Sequence, residues 1–420
     1  MRAALAVIAA ACACGTAHAA DGAMQIYGTL NVDLESVEAT GATPAGTLPP
    51  GALGQARTGI DVPRRIRVTS NSSNLGFRGN ERLAPDLSVF FQIESAVNVD
   101  GGGTNIASRN TAVGMETAWG SWRLGQWDTP YKAISGAVDP MYFTGITYTG
   151  ALIGTPGFGV GPTTIGAPAT SGDGRTYAAG ANASFERRQG NSVQYWSPNL
   201  GGLVARFAYS VDENRSSGSS ATPVDPRIFS ASLEYERGIF YAAYAYEQHD
   251  DYFGLDALVP AAQATPVAGG NVSSRDRGDK LVLRIKTGGT QLGLLGDRLR
   301  YAKDGTLAMG AFSRYRRDAA AVTLLQKVGA AGTVRALAGK AWDGSCSRGG
   351  GAGCDAAGLG ARQYSLGYSY TFSRRTDVYA FYTRVANDDR GSYQFANSAG
   401  IGAAPGSAST GFLLGMRHVF

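Results

Sequence analysis

Polar and apolar residues alternate with period two along most of this chain. In Met24-Gln25-Ile26-Tyr27-Gly28-Thr29-Leu30-Asn31-Val32-Asp33-Leu34 the even positions are apolar or Gly, while the odd ones can be wet. Successive side chains of a strand point to opposite faces, so this segment predicts a strand with one greasy and one wet face. The pattern recurs in Leu87 to Ser95, Leu203 to Tyr209, Phe229 to Glu236, Phe240 to Gln248, Lys280 to Lys286, Tyr364 to Phe372 and Phe412 to Phe420. Each is about the length of a bilayer-crossing strand.

The connections alternate in length. Short turns near Asn80 to Pro85, Pro198 to Gly202, Glu236 to Gly238, Thr287 to Thr290, Gly329 to Gly332 and Ser373 to Thr376 separate long excursions rich in Gly, Ser, Ala and Pro. Those run near 36–62, 98–108, 128–189, 211–226, 249–278, 302–318, 344–360 and 387–408. A soluble sandwich has no reason to gather its long loops at one end, whereas an outer-membrane barrel has short periplasmic turns and long external loops. The expectation is all-β: a transmembrane antiparallel barrel of 16 strands. Asp304-Gly305 is a hairpin signal that would raise the count to eighteen; sixteen is preferred, because about 400 mature residues then allow roughly 25 per strand with its connection.

Tyr364, Leu366, Tyr368, Tyr370 and Phe372 fall on one face, as do Phe412, Leu414, Met416, His418 and Phe420. Aromatic girdles at the bilayer interfaces account for so many outward Tyr.

Composition narrows the reading. The chain has 420 residues, 17% charged and 44% hydrophobic, with 59 Gly. A coiled coil and a disordered charged tail are excluded. No run approaches the roughly 20 apolar residues of a membrane helix. The longest, Ala3 to Cys14, follows Arg2 and leads to Ala17-His18-Ala19, the form of a cleaved signal peptide covering 1–19, with Ala20 as the second choice of cleavage site. Ala9 and Ala11, three residues before Cys12 and Cys14, are not the bulky aliphatics of a lipoprotein signal. Losing Arg2 lowers the formal net charge from +5 to +4, too dispersed for nucleic-acid binding. Cys346 and Cys354 remain, eight positions apart in a Gly-rich segment. Export through an oxidising compartment predicts a loop-closing disulfide. No His lies nearby to make a zinc site, which needs about four ligands.

Several stretches resemble the Gram-negative trimeric porin family of the general-diffusion type. They are Gln25-Ile26-Tyr27-Gly28, Leu75-Gly76-Phe77-Arg78-Gly79 leading into Phe90-Phe91-Gln92-Ile93-Glu94-Ser95, and Trp119-Gly120-Ser121-Trp122-Arg123-Leu124-Gly125-Gln126. Later come Asn191-Ser192-Val193-Gln194-Tyr195-Trp196-Ser197-Pro198, Leu366 to Ala380, and Arg417-His418-Val419-Phe420. The resemblance implies a homotrimer of sixteen-stranded barrels occupying 20–420, in contact with outer-membrane lipid and lipopolysaccharide, whose third external loop, here 128–189, folds into the lumen. It also implies that terminal Phe420 is the signal read by the outer-membrane assembly machinery.

The functional residues would then line a pore for small hydrophilic solutes and ions, and no cofactor or metal is implied. Fixed charges in a narrow aqueous passage select ions by sign. Alternation aims Arg65, Arg67, Arg123, Arg206, Glu94 and Glu116 into the lumen. Arg109 and Arg188 match arginines of the family pattern, and Asp128, Asp139 and Asp173 are acidic partners on the loop. The chain departs from the family at Asn74 and Gln126, where basic residues are usual, so only mild anion selectivity is expected. A barrel with adhesin or enzymatic duty, and a solute-specific channel, are the alternatives. After leader removal the histidines are His249 and His418, and neither sits in a hydrolase-type serine motif.

Overall fold

The computed structural model describes residues 24–157, 169–170, 176–177, 183–211, 225–258, 272–305, 307, 309–396 and 400–420. The expected leader and Asp173 lie outside these residues. Sixteen barrel strands follow one another as β1 (Gln25–Thr40), β2 (Val62–Ser70, resuming as Asn74–Ala84), β3 (Leu87–Val97), β4 (Thr111–Thr117), β5 (Gly120–Asp128) and β6 (Arg188–Trp196). Then come β7 (Leu203–Val211), β8 (Arg227–Arg237), β9 (Phe240–Asp250), β10 (Val272–Thr287) and β11 (Thr290–Gly305). The last five are β12 (Phe312–Val328), β13 (Gly332–Ala341), β14 (Ala361–Ser373), β15 (Thr376–Asn387) and β16 (Ala408–Val419).

Each strand pairs antiparallel with its successor, and β16 returns to pair with β1 from Thr29↔Val419 to Thr40↔Ala408. The barrel strands therefore close on themselves without a free edge, which is the condition for strands to exist in hydrocarbon. At the seam Phe420 exchanges both backbone hydrogen bonds with Gly28, at 3.0 and 3.1 Å. A Cβ on Gly28 would lie 2.5 Å from the Phe420 ring and 2.7 Å from the Asn74 carbonyl oxygen, so only glycine fits between them.

Burial is inverted relative to a soluble protein. Leu34, Leu281, Leu292, Val322, Leu366 and Leu414 are exposed, while Asn31, Glu35, Glu247, Asp276, Asp297 and Arg317 are buried on the inner face. Apolar side chains pointing outward from a closed sheet are solvated by lipid, and each gains about 1.5–3 kcal/mol over contact with water. Tight turns close the periplasmic end, with Gly238 and Gly288 at φ of 62° and 54°, values that favour residues without a Cβ.

Besides β10, which starts at Val272 inside the excursion predicted at 249–278, two local features depart from the expected layout. The predicted excursion at 302–318 is mostly strand: β11 and β12 stay in register to Ala302↔Arg314, and the connection shrinks to 306–311. Asp304-Gly305 ends β11 rather than starting an extra hairpin. The polarity that suggested a loop belongs to outward arginines on strands that rise above the lipid band. The second feature is a break in β2 at Asn71–Ser73, with Ser72 at φ 54°. There Ser73 accepts from the Asn31 amide at 2.9 Å, and Asn31 Nδ2 donates to the Asn71 carbonyl at 3.0 Å.

The outer loops also touch one another. Ala52 bridges to Asp355, and Arg390 Nη2 donates to Asp355 Oδ2 at 2.9 Å. Cys346 and Cys354 form a disulfide with Cα atoms 5.7 Å apart, which holds the short strand Ser345–Arg348 against the outer end of β12.

Gly28→Val overpacks the seam, a change that costs about 1–3 kcal/mol, and should lower the temperature at which the barrel loses its fast-migrating folded form on a gel. The Ala357 amide and the Arg390 guanidinium hold the Asp355 carboxyl below the ordinary carboxylate range. A lowered folded-state value adds stability that is present at neutral pH and lost as pH falls through that value. Reduction of Cys346–Cys354 by a phosphine should therefore accelerate only in strong acid in the native chain, whereas Asp355→Asn should show no such acid step.

Candidate functional site: the lumen constriction

The segment after β5 turns inward. Thr129 caps a one-turn helix α1 (Pro130–Ala133): its hydroxyl accepts from the Lys132 amide at 3.3 Å, and Pro130 occupies the first helical turn, where its missing N–H is harmless. The chain then crosses the lumen and is tied to the wall strand by strand. Lys280 Nζ of β10 donates to the Tyr131 carbonyl at 3.2 Å and to Ser135 Oγ at 2.7 Å, and pairs with Glu186. Arg284 donates to the Ala137 carbonyl at 2.9 Å, and Thr323 Oγ1 to that of Val138 at 2.6 Å. The loop can approach there because a Cβ on Gly293 would sit 2.7 Å from the Val138 oxygen.

At the far wall Asn31 Nδ2 donates to the Phe143 carbonyl at 2.7 Å, and the Phe143 ring packs edge-on to Tyr379 at 5.4 Å. The return limb is held by Gln363 at the Thr147 and Tyr148 carbonyls, by Arg317 at Leu152 (2.7 Å) and by Asp297 accepting from the Gly154 amide (2.6 Å). Buried backbone polar groups need partners, and here wall side chains supply them. Such a loop is held in place rather than free to swing.

Between this loop and the wall of β2 to β6 lies an opening of about 290 Å³. Ser70 to Ser73 and Ala96 to Asn98 form one side; Lys132, Tyr142, Thr144, Gly145, Tyr148 and Glu186 form the loop side, with Arg109, Asp128 and Arg188 between. Charges alternate around it. Arg109 Nε meets Glu94 Oε1 at 2.5 Å, Lys132 Nζ meets Asp128 at 2.9 Å, and Arg188 meets Asp128 at 3.1 Å while donating to Asn110 at 2.6 Å. Each guanidinium or ammonium is thereby fixed in direction, and their combined field falls across the opening.

The other predicted residues lie elsewhere along the lumen. Arg65 and Arg67 sit above the opening, opposite Val37 and Glu35 of β1, with Arg67 bonded to Glu35 at 2.6 Å. Arg123 and Arg206 lie towards the periplasmic end, stacked over Trp196 at 3.5 and 4.3 Å, and Glu116 is beside the 118–119 turn, paired across to Ser121. Asp139 does not face the opening. It is buried within the loop, accepts from the Met141 and Thr149 amides at 2.9 and 2.7 Å, and its carboxyl is pushed up by burial. Of the two departures from the family pattern, Asn74 donates to the Ser72 carbonyl, and Gln126 donates to those of Ala107 and Arg109. Both spend their polarity on backbone rather than adding charge.

Three participants escape sequence reading. Lys132 had a local signal, since it lies four residues after Asp128 across a helix start. Glu186 and Lys280 had none, because they meet only through the fold. His249 is buried, stacked on Phe185 at 4.3 Å and bonded to Glu247 at 2.7 Å, so it is a loop-packing residue.

A lipid-facing closed barrel, polar inside and narrowed by an anchored loop, defines a channel rather than an enzyme. The chain belongs to the Gram-negative porin family, whose profile matches residues 4–390, and it resides in the outer membrane. It is 26% identical to the outer membrane porin protein 32 of Delftia acidovorans over 378 residues, covering 88% of this chain and 89% of that one. It is 25% identical to an outer membrane porin protein of Bordetella pertussis over 44% of this chain and 43% of that one. Among solved structures, the anion-selective porin from Comamonas acidovorans superposes with a TM-score of 0.68 at 21% identity, covering 95% of this chain and all of that one. OmpT of Vibrio cholerae, in its trimer form, gives 0.55 at 15% identity, over 95% and 99% of the two chains.

Lys280→Met removes the ammonium that binds two loop groups and Glu186. Breaking one partner of a buried pair costs about 3–5 kcal/mol. Single channels of this variant should show larger and noisier conductance than the native chain, and unchanged open-channel noise would show that Lys280 does not hold the loop.

Proposed function

We propose that this porin passes ions and small hydrophilic solutes with a mild preference for anions. The observation that carries the reading is the charge set at the opening. Arg109, Lys132 and Arg188 reach it together with Lys280 behind the loop, while Glu94, Asp128 and Glu186 are each engaged by one or more of these cations. One positive charge is left over. Below the opening Arg123 stacks on aromatic rings rather than on a carboxylate, and this adds to the positive lumen. Because most of the field is cancelled within pairs, the preference is weak. The name of the Comamonas relative agrees in sign.

In the same reading the chain is exported by a signal peptide cleaved after Ala19. Its terminal Phe420 is read by the assembly machinery, and three copies assemble in a bilayer containing lipopolysaccharide. The trimer form among the structural neighbours is consistent with that stoichiometry.

The refolded protein in a planar bilayer under a KCl gradient should open in steps of three and give a small reversal potential of the sign set by chloride. Arg109→Ala, Lys132→Ala and Arg188→Ala should each move that potential towards cations while leaving the heat-modifiable gel shift intact. A cation-preferring native channel would contradict the reading, and so would three variants with native potentials.

A further inference from the structure

Just below the opening the wall turns aromatic on its inner face. Trp127 precedes Asp128 on β5, and Trp196 ends β6 with its ring edge-on to that of Trp127 at 6.3 Å. Phe90 of β3 completes the group. Its ring occupies the space that a side chain at position 114 would need, since a Cβ on Gly114 would sit 2.4 Å from it. All three rings are half-buried, so each keeps part of its apolar surface in lumen water. That exposure is unfavourable, and a wall that only has to be wet has no use for it.

Two guanidiniums converge on these rings. The Arg123 guanidinium carbon is 3.5 Å from the Trp196 ring centre, 4.8 Å from that of Trp127 and 5.5 Å from that of Phe90. Arg206 of β7 is 4.3 Å from Trp196. The two charges are answered unequally. Arg206 pairs with Glu234 at 3.2 Å, and that carboxylate also accepts from Ser232 and Tyr241 at 3.1 and 3.0 Å. Arg123 donates to the neutral Ser121 hydroxyl at 3.1 Å, and its Nε, like that of Arg206, is buried without a hydrogen-bond partner among the described residues. Glu116 stands one inward position further down β4, opposite Ser121 rather than Arg123. Like charges held on one indole, with one carboxylate to share, favour a further anion.

The polar edge of Trp196 is already spent. Its Nε1 donates to Gln194 Oε1 at 3.2 Å, and Gln194 Nε2 donates to the Asp128 carbonyl at 3.3 Å. What the group offers a solute is ring face and positive charge, both fixed before it arrives. We propose that it is a transit site for small aromatic carboxylates, with the solute's ring on Trp127 and Phe90 and its carboxylate at Arg206 and Arg123. Aromatic rings attract one another beyond their apolar area, and guanidinium forks match a carboxylate. A neutral sugar would leave both guanidiniums unanswered, and an aliphatic acid would leave the rings in water. The site rests on the channel reading and names a class of solute within it.

The test uses the full refolded chain and three probes of similar size. They are benzoate; cyclohexanecarboxylate, which keeps the charge and loses the aromatic ring; and benzamide, which keeps the ring and loses the charge. Saturation-transfer NMR in detergent reads binding, and partial block of single channels in a KCl bilayer reads transit. Benzoate should act at about fivefold lower concentration than cyclohexanecarboxylate and about tenfold lower than benzamide. Trp127→Leu should bring benzoate to the level of cyclohexanecarboxylate, and Trp127→Phe should restore much of the preference. If Trp127→Leu does not refold, Phe90→Leu takes its place. Equal binding of benzoate and cyclohexanecarboxylate to the native chain overturns the proposal, as does equal binding of benzamide. A Trp127→Leu chain with the native preference overturns the placement. A silent bilayer from protein that still binds benzoate selectively would count against the channel and leave the site standing, whereas a conducting channel without that selectivity would do the reverse.

Discussion

Everything in this molecule depends on the hydrogen-bonded seam between its first and last strands. A sheet in hydrocarbon has no water to satisfy an open edge, so sixteen strands are stable only when β16 finds β1. The closure runs over twelve residue pairs and ends where Phe420 meets Gly28. Once it forms, the apolar face has lipid as solvent and the polar face encloses water. Inverted burial, strand length and the segregation of long loops to one end all follow from that closure.

Much of this was legible in the sequence because a barrel wall obeys a local rule. Period two fixed which face of β1 would hold Asn31, Asp33 and Glu35, and the alternation of turn and loop lengths gave the strand number. The rule misleads where polarity continues on a strand beyond the bilayer, so Arg275 and Arg277 of β10 and Arg314 and Arg316 of β12 fall inside predicted excursions. It was silent on Asn71–Ser73, where β2 breaks without Gly or Pro. Within the site, Arg109, Arg188, Asp128 and Glu94 come together at the opening. Asp139 looked equivalent in sequence but serves the loop's own amides, and no local pattern distinguishes a carboxylate facing water from one capping backbone.

Charge does two separate jobs in the lumen. At the opening, Arg109, Lys132 and Arg188 are oriented by acids and remain accessible to a passing solute. Behind the loop, Lys280, Asp297 and Arg317 are buried and bind loop backbone. The first group can be altered with little effect on the fold, whereas the second combines wall, loop and electrostatics in one set of contacts. The constriction therefore owes its shape to residues that no solute touches.

The position of Phe143 bears on the order of assembly. Its carbonyl is bonded by Asn31 of β1, and its ring lies against Tyr379 of β15 and beneath Arg417 of β16 at 4.9 Å, so the tip of the inward loop touches both sides of the seam. A barrel zipped shut with the loop outside would leave Asn31 and Arg417 facing an empty lumen and would then have to thread a long segment through a narrow mouth. The loop tip thus belongs to both sides of the seam, and the contacts that fix the filter are the same ones that tie the first strand to the last two.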